Sequence, residues 1–184
     1  MSGWDALPTS VTVGGREMEI RSDYRVMLDI CTALNDAELK EEERGAAVLV
    51  MFYPEWESIR QEHYQEAIQK CFWFLNGGQT ETSRRAGPKL VDWAKDFPFI
   101  VAPINRVVGK EVRSVQYMHW WSFLSAYYEI GDCTFAQIVR IRSLRAQGKK
   151  MDAGDREWYR KNRELVDIQT QYTREENEQV SAWM

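Results

Sequence analysis

The residues whose types could do chemistry are few and scattered along the chain. His119, Ser122 and Glu129 stand at spacings of three and seven, so they could share a helix face and supply the residue types of nucleophilic catalysis. One straight helix cannot easily build an oxyanion pocket around its own surface. An ordinary polar face is therefore the preferred interpretation of these three residues.

The sequence also lacks the patterns that bind metals and phosphates. His63 and His119 are its two histidines, and neither has a second histidine or a cysteine at ligand spacing. The three cysteines are far apart without a C-x-x-C pair, which argues against a disulfide framework and a zinc site. Neither G-x-x-x-x-G-K-S/T nor G-x-G-x-x-G occurs. We predict a protein without enzymatic activity, metal or cofactor.

Composition favours one globular domain. The chain has 184 residues, of which 44% are hydrophobic and 28% charged, and this length can bury a core without disulfide or metal staples. The longest apolar run, residues 46–53, is far shorter than the roughly 20 residues of a membrane-spanning helix. The start "MSGWDALPTS" lacks the basic and apolar regions of a signal peptide. We expect a cytosolic protein with no membrane partner.

The spacing of apolar residues predicts a mainly α fold, a compact helical bundle of about six helices behind a small β-hairpin. Residues 9–21 contain two short runs around Gly14 and Gly15, a pair that suits the tight turn of a hairpin. Ser22 and Asp23 then signal a helix start. The run 46–53 is apolar all round and predicts a buried helix at the centre of the bundle.

The spacing of apolar residues and the positions of proline predict three later helices. The clearest covers residues 64–75, where apolar side chains recur at i, i+3, i+4 and i+7. A helix over 98–108 should bend near Pro103. A helix over 114–130 should carry His119 on a narrow polar strip, with a structural role such as a hydrogen bond to a neighbouring helix.

Capping residues predict the starts of the last two helices, and composition predicts a loop and a C-terminal tail. Thr134 should cap the next helix and Asp152 the last one. Residues 1–168 form the predicted domain. The polar stretch 77–90 should be a mobile loop, and residues 169–184 a polar C-terminal tail.

Charge is unevenly distributed along the chain. Residues 35–62 carry eight acidic and three basic side chains, whereas residues 137–150 carry five basic and no acidic ones. The preferred interpretation of the basic segment is a solvated helix face that pairs with the acidic segment of the same fold or of a neighbouring subunit. The alternative is a patch that contacts phosphates, formed by Arg140, Arg142, Arg145, Lys149 and Lys150.

Large aromatic side chains are abundant, with 8 Trp, 8 Tyr and 7 Phe. Most should be core, because aromatic residues at helical spacing bury much area. Trp and Tyr are also favoured at interfaces. Part of the set could therefore contact a partner, and the candidates are Trp73, Phe74, Trp120 and Trp121.

Ordered segments carry a resemblance to a known family. They are "IRSDYR" after the hairpin, "DFPFIVAPINRVVGKEVRS", "MHWWSFLSAYYEIGDCTFAQIVRIR" and "GKKMDAGDREWYRKNRELVD". Over residues 7–168 the chain resembles the bacteriophage proteins called gene product fifteen, found in siphophages and prophages of Gram-positive bacteria. The His-Trp-Trp run is the most specific mark. Pro103 and Met118 depart from the expected pattern, and both concern helix geometry.

The resemblance implies a role in tail assembly in the host bacterial cytoplasm. Genes of this family typically lie between those of the major tail protein and the tape measure protein, a position usual for tail-assembly chaperones. The implied partners are the tape measure protein and, as a second candidate, the major tail protein. Self-association stays open. The alternative function is a structural or regulatory phage protein that binds nucleic acid through the basic helix 137–150, although the net charge of −4 makes nucleic acid an unlikely partner.

Overall fold

The computed structural model describes residues 6–79 and 88–168, and these contain two strands and eight α-helices. The strands are β1 (Ser10–Val13) and β2 (Arg16–Glu19), and the helices are α1 (Tyr24–Leu34), α2 (Glu41–Phe52), α3 (Tyr64–Leu75), α4 (Trp93–Val108), α5 (Trp120–Tyr128), α6 (Thr134–Ala146), α7 (Ala153–Lys161) and α8 (Arg163–Val166). Short 3-10 segments lie at Trp56–Ser58, Gln61–His63 and Val112–Ser114. The predicted mainly α fold with an N-terminal hairpin is confirmed. The expected number of helices was too low, partly because the predicted last helix is interrupted at Asn162, between α7 and α8.

Parts of two predicted features fall outside this description. The expected loop 77–90 includes residues 80–87, and the expected tail is residues 169–184, so both stay predictions. Within the two described ranges, no helix is long and apolar enough to cross a membrane.

The hairpin forms as predicted and packs on α3. Ser10 pairs with Glu19 in an antiparallel register, and Gly14 and Gly15 take φ values of 56° and 75°, the left-handed region that a primed turn requires. The Gly14 N–H donates to a carboxylate oxygen of Glu66 on α3 at 2.8 Å. This bond fixes the turn of the hairpin to the first half of α3.

α1 lies at the centre of the fold, where it packs against α2, α4 and α5. It buries Tyr24, Met27 and Ile30 at a spacing of three, and the Tyr24 ring stacks on Phe123 of α5 with centroids 4.6 Å apart. The expectation that residues 46–53 form the central helix was wrong. α2 packs against α1 and α3 and leaves Val50 43% exposed.

α4 begins five residues earlier than the predicted helix over 98–108 and ends where expected. The Asp92 carboxylate accepts from the N–H of Lys95 at 3.2 Å and so caps the helix at an earlier start. Gly109, with φ of 75°, ends it. Pro98 and Pro103 both lie inside α4, where each lacks the N–H that would bond four residues back. The bend near Pro103 stays a prediction.

α5 is much shorter than the predicted helix over 114–130, because His119 caps it. The segment before His119 is extended and pairs with the chain before α1. The N–H of Tyr24 donates to the carbonyl of Met118 at 2.9 Å, and the N–H of Trp120 donates to the carbonyl of Ser22 at 2.8 Å. These long-range bonds compete with helix formation and hold residues 118–119 out of the helix.

Local caps set the starts of α6 and α7. The sulfur of Cys133 accepts from the N–H of Ala136 at 3.4 Å, so Cys133 caps α6 and the prediction for Thr134 was wrong by one residue. Asp152 caps α7 as predicted, accepting from the N–H of Asp155 at 2.7 Å.

Candidate functional site

The adjacent tryptophans of "MHWWSFL" hydrogen-bond to the carbonyls at the C-terminal end of α3. The indole N–H of Trp120 donates to the carbonyl of Leu75 at 3.0 Å, and that of Trp121 donates to the carbonyl of Phe74 at 2.9 Å. Carbonyls in the last turn of a helix have no donor within the helix. The two indoles therefore donate to partly buried carbonyls and join α5 to α3.

Burial divides the four aromatic candidates into two pairs. Phe74 is 0% and Trp120 2% exposed, so both are core residues, and the prediction that they face a partner needs correction. Trp73 and Trp121 are partly exposed and pack edge to face with ring centroids 5.5 Å apart. For these two, partner contact stays a prediction.

His119 is a buried structural residue. Its Nδ1 accepts from the N–H of Trp121 at 3.0 Å, so its Nε2 carries the proton and donates to the carbonyl of Pro8 at 2.9 Å. Burial lowers its pKa, and the hydrogen bond to Pro8 opposes this shift. The structural role was expected, but the bond reaches the N-terminal segment rather than a helix. Because both ring nitrogens are used, His119 cannot act as a base for Ser122.

Among the described residues, the cysteine thiols and the acidic side chains form neither a disulfide nor a metal site. Cys31, Cys71 and Cys133 are free, and burial raises the pKa of the Cys31 thiol to about 11, so this thiol is protonated at neutral pH. Across residues 6–79 and 88–168, no group of three or more His, Cys, Asp or Glu side chains could hold a metal ion.

Arg142 is buried and does not belong to a surface patch. It is 5% exposed, and all five of its N–H donors are used. Two reach the Asp96 carboxylate, at 2.5 and 3.0 Å, and the other three reach the carbonyls of Leu90, Leu165 and Val166. The prediction that Arg142 contacts phosphate is therefore wrong.

The other arginines of the basic segment also have partners within the chain. Arg140 pairs with Asp155, and Arg145 pairs with Asp167. These acidic partners lie in the C-terminal half, so the expected pairing with residues 35–62 does not occur for them. Lys149 and Lys150 are exposed, but two lysines are a small remainder of the predicted patch.

An apolar groove lies between α2 and α3 among the described residues. We call it the α2–α3 groove. It has a volume of about 1210 Å³, and its apolar lining consists of Leu34, Val48, Leu49, Val50, Trp56, Tyr64, Ile68 and Phe72. Val50 and Phe72 lie on its two helices and remain 43% and 38% exposed. Large apolar side chains left open on facing helices are typical of a surface that binds another protein.

Small side chains on α2 shape this groove. A Cβ atom at Gly45 would lie 3.4 Å from Cδ1 of Ile68, so α3 packs directly against the α2 backbone there. Ala46 follows on the groove wall. At the other end of α2, the Tyr53 hydroxyl donates to the carbonyl of Ala67 at 2.9 Å. These two contacts join residues near both ends of α2 to the adjacent residues Ala67 and Ile68 of α3.

Sequence reasoning missed this groove because Val50 and Phe72 lie on apolar patterns that predict core. The available signal was the width of the apolar surface on both helices. Two neighbouring helices that are each apolar over more than one face cannot both be fully covered by a small bundle.

A second opening, of about 980 Å³, lies among α1, α4 and α6. Charged side chains line it. Two of them, Lys89 and Asp92, pair with each other at 3.1 Å, and Arg142 pairs with the buried Asp96. This opening adjoins the buried contacts of Arg142, and polar side chains make up a larger part of its lining than of the lining of the α2–α3 groove.

These observations define a mainly helical protein whose apolar groove suits a polypeptide. The chain belongs to the Bacteriophage Gp15 protein family, whose model matches residues 4–168. The resemblance found in the sequence is thereby confirmed. Membership implies a phage structural or head–tail connector-type protein that interacts with other phage proteins. Comparison with curated proteins and with solved structures found no match.

Proposed function

We propose that this protein is a non-enzymatic tail-assembly chaperone that holds part of the tape measure protein in the α2–α3 groove. In this proposal it acts in the host cytoplasm and leaves as tail-tube subunits assemble. The observation that carries the proposal is the groove itself, with Val50 and Phe72 exposed on facing helices. Family membership supports a phage structural role and leaves the particular partner to be tested.

The size and lining of the groove favour a polypeptide over a small molecule. Small-molecule sites typically measure about 300–1,000 Å³ and surround a few convergent polar groups. The α2–α3 groove is larger, at about 1210 Å³, and lies open between two helices. An amphipathic helix that lays its apolar face between two helices is a common mode of peptide recognition. The tape measure protein is long and helical, so it could supply such segments.

A chaperone must release its client, and the groove suits weak binding. Only two large apolar side chains are substantially exposed within it, so one helix would bury a modest apolar area at about 25 cal/mol per Å². Several chaperone copies along one tape measure chain would then cover it through many weak contacts. The partly exposed Trp73 and Trp121 are a second candidate contact at the far end of α3.

Co-expression with the cognate tape measure protein tests this proposal. We expect the wild-type chain to keep the tape measure protein in the soluble fraction, and Val50→Asp to abolish this effect because a carboxylate cannot be buried against an apolar helix. Val107→Asp is the matched control, since Val107 lies near the end of α4 and is 41% exposed, against 43% for Val50. Circular dichroism and thermal melting check that both variants fold.

Two outcomes would count against the proposal. If the tape measure protein is equally insoluble with and without this chain, the chaperone function is wrong. If Val50→Asp and Val107→Asp both retain full activity, the groove is not the binding site.

A further inference from the structure

The chain continues beyond the described residues, and its sequence there changes in character. Residues 169–179 are polar apart from Tyr172, whereas residues 180–184, with the sequence VSAWM, carry no charged side chain. The large apolar members of this short stretch stand at i, i+3 and i+4, and they are Val180, Trp183 and Met184. Side chains at this spacing share one face of a helix. An apolar face of this kind gains free energy when another apolar surface covers it.

The point at which this segment begins is fixed on the fold. Val166 is buried, and the carboxylate of the next residue, Asp167, pairs with Arg145 of α6. The Asp167 carbonyl accepts from Nζ of Lys95 on α4 at 2.6 Å. The chain therefore starts its last segment from a place that α4, α6 and α8 define together.

This starting point lies next to the α2–α3 groove. Ile168 lines the second opening together with Asn35, whereas Leu34, the residue before Asn35, lines the α2–α3 groove. Consecutive Cα atoms are about 3.8 Å apart, so the two openings meet at the end of α1. Residues 169–179 can span about 36 Å when extended, whereas an opening of about 980 Å³ is on the order of 10 Å across. Residues 180–184 can therefore reach the groove of their own chain.

The chemistry of the α2–α3 groove suits an uncharged apolar segment. Its exposed apolar side chains are Val50 and Phe72. Among residues 6–79 and 88–168, none of the exposed large apolar side chains lines the second opening. The charged side chains that line the groove sum to zero, and they are Lys40, Glu41, Glu42 and Arg44. A neutral segment therefore meets neither net attraction nor net repulsion there, and apolar contact decides what binds.

We propose that residues 180–184 occupy the α2–α3 groove of their own chain, where their apolar face covers Val50 and Phe72. This goes beyond the proposed function, because it makes the segment an internal competitor of any client. α2 alone has 12 residues, so a five-residue segment covers only part of the groove and binds weakly. At an effective concentration on the order of 1 mM, which a short tether provides, a segment with a dissociation constant of about 0.1 mM fills the groove in about nine chains of ten. A client with a longer apolar face displaces it.

Photo-cross-linking of the full-length protein tests this placement without a client. The photoreactive amino acid p-benzoylphenylalanine replaces Trp183 and, in a matched control, Tyr172 in the polar part of the same segment. After irradiation, mass spectrometry identifies the cross-linked peptides. We expect position 183 to cross-link within one chain to α2 or α3, and position 172 to show no preference for them. Val50→Asp should lower the yield from position 183 about tenfold, because a carboxylate is costly to bury under an apolar segment, and Val107→Asp should leave it unchanged.

The outcomes separate this inference from the proposed function. Cross-links from position 183 to other parts of the fold, or none at all, overturn the inference, and so does a yield that a folded Val50→Asp variant leaves unchanged. Cross-linked dimers in place of monomers also overturn it, because the segment would then lie in the groove of a second copy. The tape measure protein takes no part in this experiment, so the proposed function stands or falls separately on the co-expression result.

Discussion

Replacing Arg142 by Met should destabilise the protein strongly, because the guanidinium is a buried junction of three chain segments. It joins α6 to Asp96 near the start of α4, to the carbonyl of Leu90 before α4, and to the carbonyls of Leu165 and Val166 in α8. Methionine keeps much of the volume but removes all five donors. The Asp96 carboxylate, 0% exposed, then keeps a single neighbouring donor, the N–H of Asp92 at 2.8 Å.

The magnitude follows from the buried charge that the variant leaves behind. Breaking a buried ion pair by removing one partner costs about 3–5 kcal/mol. A domain of this size loses about 2–4 °C of melting temperature per kcal/mol, so we expect a decrease of about 6–20 °C. The double variant R142M/D96N should recover part of the loss, because no uncompensated carboxylate remains.

Urea unfolding followed by tryptophan fluorescence measures this change, since Trp93 and Trp120 pack against each other with centroids 6.1 Å apart in the core. Lys149→Met, at an exposed site three residues after the end of α6, is the control and should change the free energy of unfolding by less than about 0.5 kcal/mol. If R142M loses less than about 1 kcal/mol of unfolding free energy, or if the double variant recovers none of it, Arg142 does not hold these segments together as argued.

Three further predictions concern other parts of the fold. Gly78→Ala should lower the free energy of unfolding by about 2 kcal/mol or more, because Gly78 has φ of 82° and a Cβ there would lie 2.7 Å from the Trp121 indole. The control Gly131→Ala, at an open site, should leave the thermal unfolding nearly unchanged. Burial lowers the pKa of His119, so the neutral imidazole contributes to stability above the ordinary pKa of 6.5, and this contribution is lost as the pH falls toward the folded pKa. In urea unfolding at several pH values, the His119→Asn variant should therefore lose stability less steeply below pH 6.5 than the wild type. The protein should pass through a DNA column unretained at about 50 mM sodium chloride, because only Lys149 and Lys150 remain of the predicted basic patch.

Each of these has an outcome that contradicts it. A Gly78→Ala variant as stable as the Gly131→Ala variant would mean that the indole does not lie against that backbone. Parallel pH profiles for wild type and His119→Asn would contradict the buried, neutral imidazole. Salt-dependent retention on DNA would revive the nucleic-acid function.

The local features of this fold could be predicted from the sequence, and the long-range ones could not. The hairpin turn at Gly14 and Gly15 and the helix α3 depend on neighbouring residues, and both were predicted correctly. The start of α5 depends on the pairing of Met118 and Trp120 with a segment about 95 residues earlier. Periodicity within residues 114–130 contains no trace of that pairing, so the predicted helix was too long.

The same limit applies to the candidate site residues. Arg142 looked like the other arginines of its segment because its partner Asp96 lies 46 residues away. Trp120 was a candidate partner contact, and both its burial and the use of the Trp120 and Trp121 indole N–H groups by the end of α3 depend on the arrangement in space. The wide apolar surfaces of α2 and α3 indicate that some apolar side chains stay exposed, but that these are Val50 and Phe72 depends on which faces the other helices leave uncovered.

The two walls of the α2–α3 groove differ in how their ends are attached to the rest of the fold. α3 is fixed at both ends, by Glu66 bound to the hairpin turn and by the two indoles on its last carbonyls. α2 is fixed at its C-terminal end, where Nη1 of Arg21 donates to the carbonyls of Val50 and Met51 at 2.7 and 3.0 Å. Its first turn starts from an exposed, charged segment. Hydrogen bonds to other elements thus anchor both ends of α3, whereas in α2 they are concentrated at the C-terminal end.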